Sequence, residues 1–342
     1  MSVLYQNNCN ILIDHSKYIN KIYSKVSSTD ESYAYEINPC LFTIIIEKEL
    51  PNKKRKLQNQ VLNEESSRVK DMYEQFLNKL PPKLNHFPAA KSSSSEVRDL
   101  AQKLFEATVF EHKGINGGNN SDSALICSVK DNQYLIPPNC RFYCGSVKEQ
   151  CEKLNGNNFD IVVADPPWWN KYIRRLKHAN DKLSYSMMYN EDIASIPMRN
   201  LLSSNCLVAM WCTNAPSNIA AVKELIFPQW GVEYLTTWYW LKVTTDMEPL
   251  CDFSTGCKKQ PYERIILGKV GEITVPEDQL IVSVPSALHS HKPPLLELLS
   301  PHVKTSKPQT LELFARYLLP NTTSVGFEPL KWQHVSLYEK VS

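Results

Sequence analysis

Residues 160–170 read DIVVADPPWWN. The β-branched run Ile161-Val162-Val163 reads as strand, and residues 159–164 are apolar almost throughout, as suits a central strand covered on both faces. The run stops abruptly in Asp165-Pro166-Pro167-Trp168. Prolines end strands for structural reasons alone. A carboxylate, two rigid carbonyls and a flat aromatic within four residues ask for more than a strand end.

Working outward, strands are expected at 140–144, 159–164, 205–211, 235–243, 263–270, 280–284 and 322–327, and helices at 190–203, 215–227, 293–300 and 308–318. Such alternation predicts an α/β sheet with helices on its faces. In open α/β sheets ligands bind beyond the carboxyl ends of the strands, which is where Asp165 lies. The turn-rich stretch at 114–123 separates this domain, taken as 119–342, from an α+β accessory region at 1–118. That region holds short strands, the best at Leu41 to Ile46. It also holds a helix from Ser67 to Leu80, ended by Pro81-Pro82, and a second from Ser95, as N-cap, to Ala107.

The totals narrow the class. The chain has 342 residues, 42% of them apolar, and a net charge of only +2, so any nucleic-acid contact must come from a local patch. Ten scattered cysteines form no C-x-x-C pair, which speaks against zinc. Met1 to Asn10 has no apolar signal core, and no apolar stretch reaches the ~18 residues of a membrane span. An intracellular protein with reduced thiols is expected. The run Pro51-Asn52-Lys53-Lys54-Arg55-Lys56 fits either a nuclear localisation signal or a solvated linker.

The four residues after the strand suit one chemistry. An exocyclic amine such as adenine N6 is a poor nucleophile, because its lone pair is delocalised into the ring. Asp165 and the Pro166 carbonyl, held rigid by the fixed φ of proline, are placed to accept its two N–H bonds. Trp168 offers a face for a stacked base. Fixed dipoles and in-line positioning against an electrophilic methyl group supply the rate.

DPPW, with DPPWWNKYIRR and CKKQPYERIILG around and after it, resembles the MT-A70-like DPPW family of adenine-N6 methyltransferases, above all its methyltransferase-like protein 4 branch. The resemblance covers roughly residues 124–342. It implies a Rossmann-like class I methyltransferase sheet with permuted motif order, and S-adenosylmethionine as cofactor, leaving as S-adenosylhomocysteine. It implies catalysis by Asp165, Pro166, Pro167 and Trp168. Ser290-His291-Lys292-Pro293 resembles the family's S-H-K-P loop, which places Lys292 on the cofactor carboxylate and His289 beside it. Leu311 to Arg316, LELFAR, resembles the segment whose arginine meets the cofactor ribose, which brings in Arg316 and Asn321. Relatives carry an Asn-Gln pair where Phe327-Glu328 stands here; only Glu328 can still accept from a ribose hydroxyl. Gly145 and Ser146 are placed near the cofactor adenine.

After DPPW the chain is basic with an aromatic interleaved. Asn170, Lys171, Arg174, Arg175, Lys177, Lys182 and Tyr185, with Lys258 and Lys259, are the candidates for meeting phosphates. His289 and His291 lack the carboxylate or cysteine neighbours of a metal site, so no metal is expected. There is no G-x-G-x-x-G, G-x-S-x-G, P-loop or H-E-x-x-H motif. The resemblance implies an RNA substrate, especially 2′-O-methyladenosine in small nuclear RNA of the U2 type, methylated in the nucleus by a monomer without an obligate partner. Single-stranded DNA is the alternative substrate. A non-catalytic RNA-binding scaffold is the rival class, but scaffolds lose DPPW or the lysine loop, and Asp165, Trp168, Lys292 and Arg316 are all present.

Overall fold

The computed structural model describes residues 2–27, 32–44, 62–84, 87, 93–108, 112–169, 187–254 and 259–341. Sixteen strands form among them. The N-terminal ones are β1 (Val3–Gln6), β2 (Asn10–Ile13), β3 (Val26–Ser27) and β4 (Ser32–Ile37). Then come β5 (Asn116–Asn119), β6 (Ala124–Val129), β7 (Asn132–Ile136), β8 (Cys140–Cys144), β9 (Phe159–Ala164), β10 (Leu202–Cys212) and β11 (Glu233–Lys242). The last are β12 (Tyr262–Val270), β13 (Leu280–Ser283), β14 (Thr310–Leu313), β15 (Thr322–Gly326) and β16 (Tyr338–Val341). Eleven make one sheet in the order β1-β2-β13-β11-β12-β10-β9-β14-β15-β8-β5, and five make a second, β16-β4-β3-β6-β7.

The centre of the large sheet is parallel. Strand β9 pairs in parallel with β10 on one side and β14 on the other. Its alternation fills two cores: Ile161 and Val163 face one buried cluster, Val162 and Ala164 the other. Both faces are dry, so β-branched residues are favoured throughout and the strand reads as one apolar run. From β9 the chain proceeds to β10, whereas from β14 it proceeds to β15 on the opposite side. The β9–β14 boundary is therefore a topological switch point, with Asp165 at one strand end and Phe314-Ala315-Arg316 at the other. Strand β12 is the exception in direction. It runs antiparallel to β10 and β11, so its first residues arrive at the end where its neighbours finish.

Four expectations need correction. Residues 308–318 do not form a helix: Thr310–Leu313 is a strand hydrogen-bonded on both edges. Leu311 and Leu313 enter one core while Glu312 points to the other face, and a short apolar run of this kind fits either period. Leu41–Ile46 is not a strand where it is described: Pro39–Phe42 is a 3-10 turn capped by the Asn38 side chain, which buries Leu41 and Phe42. Residues 190–203 are broken by Pro197 into the helix Asn190–Ala194, a 3-10 turn at Met198–Asn200 and the start of β10. The second N-terminal helix is capped by Ser93, whose hydroxyl accepts from the Glu96 N–H in a capping box, and not by Ser95.

The described residues before 119 do not build a sheet of their own. Strand β2 adds to the large sheet in parallel beside β13, and β3 and β4 join β6, β7 and β16. Helix α1 (His15–Ile22) follows, its N-terminus capped by Asp14. Helix α2 (Glu64–Lys79), capped by Asn63, lays Val69, Tyr73 and Phe76 on the face formed by Leu241, Leu280 and Val282. The basic run 51–56 lies outside the described residues. No helix among the described residues is long and apolar enough to cross a membrane.

Phe76 is fully buried in the seam between α2 and the sheet. Phe76→Ala is expected to cost about 3–5 kcal/mol. It should lower the urea midpoint with an unchanged slope; an unshifted midpoint would show that α2 does not pack there in solution.

Candidate active site

Strand β9 ends at Ala164 and delivers Asp165, whose N–H donates to the Leu313 carbonyl at 3.3 Å. Two other strand ends meet it. The turn after β14 passes through Phe314 at φ +62° and presents Arg316. The loop after β13 passes through Ser290 at φ +58° and presents Lys292. Arg316 Nη1 lies 3.2 Å from Asp165 Oδ2 and donates to Ser290 Oγ at 2.7 Å. Ser290 Oγ donates to the same Oδ2 at 3.1 Å. Lys292 Nζ stands 3.9 Å from Oδ1. The Asp165 side chain keeps 20% of its surface in solvent, the two cations about half that or a little more, at 10% and 13%. The carboxylate is thus fixed by three chain segments yet still reachable.

Behind Lys292 stands Glu263, the second residue of β12. Lys292 Nζ lies 2.6 Å from Glu263 Oε2, and Lys242 at the end of β11 pairs with Oε1. Burial would raise the Glu263 carboxyl, but Lys292 and Lys242 overrule it and hold it down at about 2. Burial would likewise lower the Lys292 ammonium; Asp165 and Glu263 hold it above its ordinary value. The two lysines lie over tryptophan faces, Lys292 at 5.4 Å from the Trp211 centroid and Lys242 at 4.7 Å from that of Trp240.

A cleft of about 310 Å³ adjoins these charges, walled by Pro167, Phe314, Arg316, Ser146, Phe327 and Glu328 among others. Its floor is tight. Gly145 N–H donates to the Gly326 carbonyl at 2.7 Å, and a Cβ on Gly326 would come within 2.9 Å of the Ala315 backbone. Gly145 and Ser146 therefore do sit beside the cleft, as do Arg316 and Glu328. Glu328 arrives already ion-paired, with Lys331 Nζ at 2.8 Å from Oε1, both groups buried. His289 stands exposed on the same loop as Lys292. His291 faces inward, its ring 4.6 Å from that of the buried His15 of α1.

Two assignments move. Asn321 precedes β15, at the amino end of the sheet, with the whole strand between it and the cleft. Five residues at about 3.3 Å each place it some 16 Å from the site. It lines a different, wider groove with Lys25 and Gln309. Trp168 is not an open stacking face. Its ring is 6% exposed inside the core, and its indole N–H donates to the Trp211 carbonyl at 3.1 Å. It acts as a wedge that pins the DPPW turn to β10. The Pro166 carbonyl accepts the Trp168 N–H at 2.8 Å, and the Pro167 carbonyl accepts the Met188 N–H at 2.9 Å. Each oxygen thus accepts one backbone N–H, and the Pro166 oxygen keeps a second lone pair for a further donor.

Of the basic candidates, Lys259 is described and exposed. Asn170, Lys171, Arg174, Arg175, Lys177, Lys182, Tyr185 and Lys258 lie outside the described residues. Among the described residues no three His, Cys, Asp or Glu side chains are grouped to hold a metal ion. Glu263, Lys242 and Glu312 escaped the sequence reading. Glu263 could have been flagged as an acid opening an apolar strand. Glu312 could not, because LELFAR reads as an ordinary amphipathic stretch. It is 7% exposed on the middle of β14. Burial first, and then the nearby Asp165 charge, pushes its carboxyl up to about 8 against the pull of Arg316.

The family profile described as MT-A70 matches residues 159–328. The chain is 38% identical over 234 residues to the N(6)-adenine-specific methyltransferase METTL4 of Mus musculus, and equally to that of Homo sapiens. Each match covers 64% of this chain and 48% of the relative, so the chain spans about half the length of these curated relatives. Over an alignment of 367 residues it is 31% identical to the DNA N6-methyl methyltransferase of Caenorhabditis elegans, with 95% of this chain and 96% of that one covered.

Glu312 yields a pH prediction. Its carboxyl binds a proton more tightly folded than unfolded, so between the unfolded value of 4.5 and about 8 the native state holds the extra proton. Its contribution to stability is complete below about 4.5 and is lost as pH rises through about 8. Glu312→Gln should remove that loss. In urea unfolding, the variant should gain on the wild type steadily from pH 5 to pH 8.5; parallel profiles would mean that Glu312 is ionised in the fold.

Proposed function

We propose that this chain, which belongs to the MT-A70 family, is an S-adenosylmethionine-dependent methyltransferase that modifies N6 of adenine in a nucleic acid. The observation that carries the reading is Asp165, fixed between Arg316, Ser290 and Lys292 at the carboxyl end of β9 and still open to solvent. The surroundings fit the cofactor. Lys292 and Asp165 form an adjacent plus and minus that complement the carboxylate and ammonium of an amino-acid end. The cleft beyond Pro167 has aromatic walls in Phe314 and Phe327 and a carboxylate in Glu328 for the nucleoside end. When bound, S-adenosylmethionine supplies an electrophilic methyl group.

The chain's own residues do the rest. Asp165 and the Pro166 carbonyl accept the two N–H bonds of the amine and localise its lone pair on N6. As N6 gains a fourth bond its protons become strongly acidic, and Asp165 is the acceptor at hand for the one it sheds. Arg316 at 3.2 Å and Lys292 at 3.9 Å hold that carboxylate in position for both contacts. Glu263 holds Lys292 in place from behind. The adenine must leave its stack to reach a carboxylate set at the bottom of a strand-end turn.

RNA is the substrate we favour, with 2′-O-methyladenosine in a U2-type small nuclear RNA as its finest form. Nuclear residence, fitted by the basic run at 51–56, and action as a monomer complete the proposal. A specific observation supports DNA as the second reading: the relative aligned nearly end to end carries the name of a DNA methyltransferase.

Methyl transfer from labelled S-adenosylmethionine to matched oligonucleotides decides between them: RNA, RNA with one 2′-O-methyladenosine, and single-stranded DNA. Wild type should prefer the 2′-O-methylated RNA; preference for DNA would move the second reading to first. Asp165→Asn should cut kcat by at least about 10³-fold with cofactor affinity nearly kept, as expected for removal of a preorganised acceptor. Lys292→Ala should instead raise the KM for S-adenosylmethionine. Near-normal turnover by Asp165→Asn would refute the role given to that carboxylate.

A further inference from the structure

Six of the seven tryptophans are at most 6% exposed, packed into the cores. Trp169 is the exception, half-buried directly after the DPPW turn. Its ring stacks on that of Tyr189, with centroids 6.0 Å apart and planes 18° from parallel. Tyr189 is 58% exposed, the most open large apolar side chain among the described residues. A tyrosine that has found one aromatic partner and keeps its other side in water is a half-built stack.

The pair is held from the backbone. Trp168 and Met188 form a parallel bridge, in which Met188 N–H donates to the Pro167 carbonyl at 2.9 Å and Trp169 N–H to the Met188 carbonyl at 3.1 Å. Tyr189 is also the N-cap residue of the helix Asn190–Ala194, its N–H donating to Asp192 at 3.3 Å and its carbonyl accepting from Ile193. The backbone of both residues is therefore fixed, and the mutual stacking of the rings orients them. Their chain neighbours Pro167, Met187, Met188 and Asp192 line the cleft, so the pair is anchored beside it.

We propose that Trp169 and Tyr189 form a stacking platform for the nucleobase next to the target adenine in a single-stranded nucleic acid. The inference rests on the N6-adenine methyltransferase reading and adds a second base-binding element outside its chemistry. Extruding one base strips its neighbours of a stacking partner. A rigid aromatic pair beside the cleft restores that contact to one neighbour, and does so for any base, since every base has a π-face. Charge favours the same occupant: residues 170–186, which join the two rings in the chain, carry five Lys or Arg against one Asp.

The test is a cycle of protein and substrate changes. Methyl transfer is measured for wild type, Trp169→Ala, Tyr189→Ala and Tyr189→Phe. The substrates are an intact oligonucleotide and copies made abasic at the nucleotide 5′ or 3′ of the target. Loss of one stacked base should raise the wild-type oligonucleotide KM about tenfold at one flank. Each alanine variant should show a similar rise on intact substrate and little further rise on that abasic copy. Tyr189→Phe should behave as wild type, and the KM for S-adenosylmethionine should not move. Anisotropy of the same labelled oligonucleotides reads binding without turnover. Wild type that binds with the base effect but transfers no methyl would sink the methyltransferase reading and leave the platform. Normal turnover indifferent to both flanking bases, or abasic and alanine effects that simply multiply, would overturn the platform and leave the rings to a protein partner.

Discussion

The site depends on satisfying one carboxylate where most of its surroundings are protein. An ionised group taken out of water loses solvation that must be replaced by fixed partners. Asp165 receives them from two directions, a guanidinium and a hydroxyl on one oxygen and an ammonium towards the other. The hydroxyl and the ammonium come from the loop after β13 and the guanidinium from the turn after β14, so the same contacts clamp the ends of β9, β13 and β14 together. The contrast with Glu312 is instructive. It lies on β14 near Asp165, but no partner reaches its Oε2, and its carboxyl is pushed up until it stays protonated at neutral pH. Two acids in one neighbourhood thus differ in the partners that reach them.

What could be read in the sequence was what the residues state locally. The strand β9 declared itself because a doubly buried strand has no polar alternation, and β10, β11 and β12 followed for the same reason. Asp165, Lys292 and Arg316 were legible through short motifs that name them, and the structure brings those three together. The losses came where the tertiary surroundings decide. LELFAR fits a helix by spacing, but a gap between two parallel strands makes it a strand. In DPPWW the two indoles are chemically alike, and nothing local tells which one the β10 backbone will bury. Asn321 was carried over by motif position, yet the strand it precedes separates it from the cleft. Glu263 was hidden by direction, because only the reversed course of β12 puts its first residues at the active end.

The N-terminal segment belongs to the same clamp. Helix α1 sets His15 edge-on against His291, next to Ser290 and Lys292, and both rings are buried. Burial, with each ring disfavouring charge on the other, keeps His15 well below its ordinary value, and burial does the same to His291. The loop that carries Lys292 is thus backed by two neutral rings, and its lysine faces Glu263 and Asp165.

One pairing has a consequence in time. Strand β2 is made early and finds its parallel partner, β13, roughly 270 residues later. Its sequence, Asn-Ile-Leu-Ile, is buried throughout in the finished protein; one edge pairs with the neighbouring β1, but the other must stay open while most of the chain emerges. During synthesis that segment is an apolar strand with one open edge, the kind that invites other chains. The seating of α1 behind the lysine loop, and with it the final shape of the site, is therefore among the last events of folding. A nascent chain lacking only its C-terminal third would have the aspartate and still no site around it.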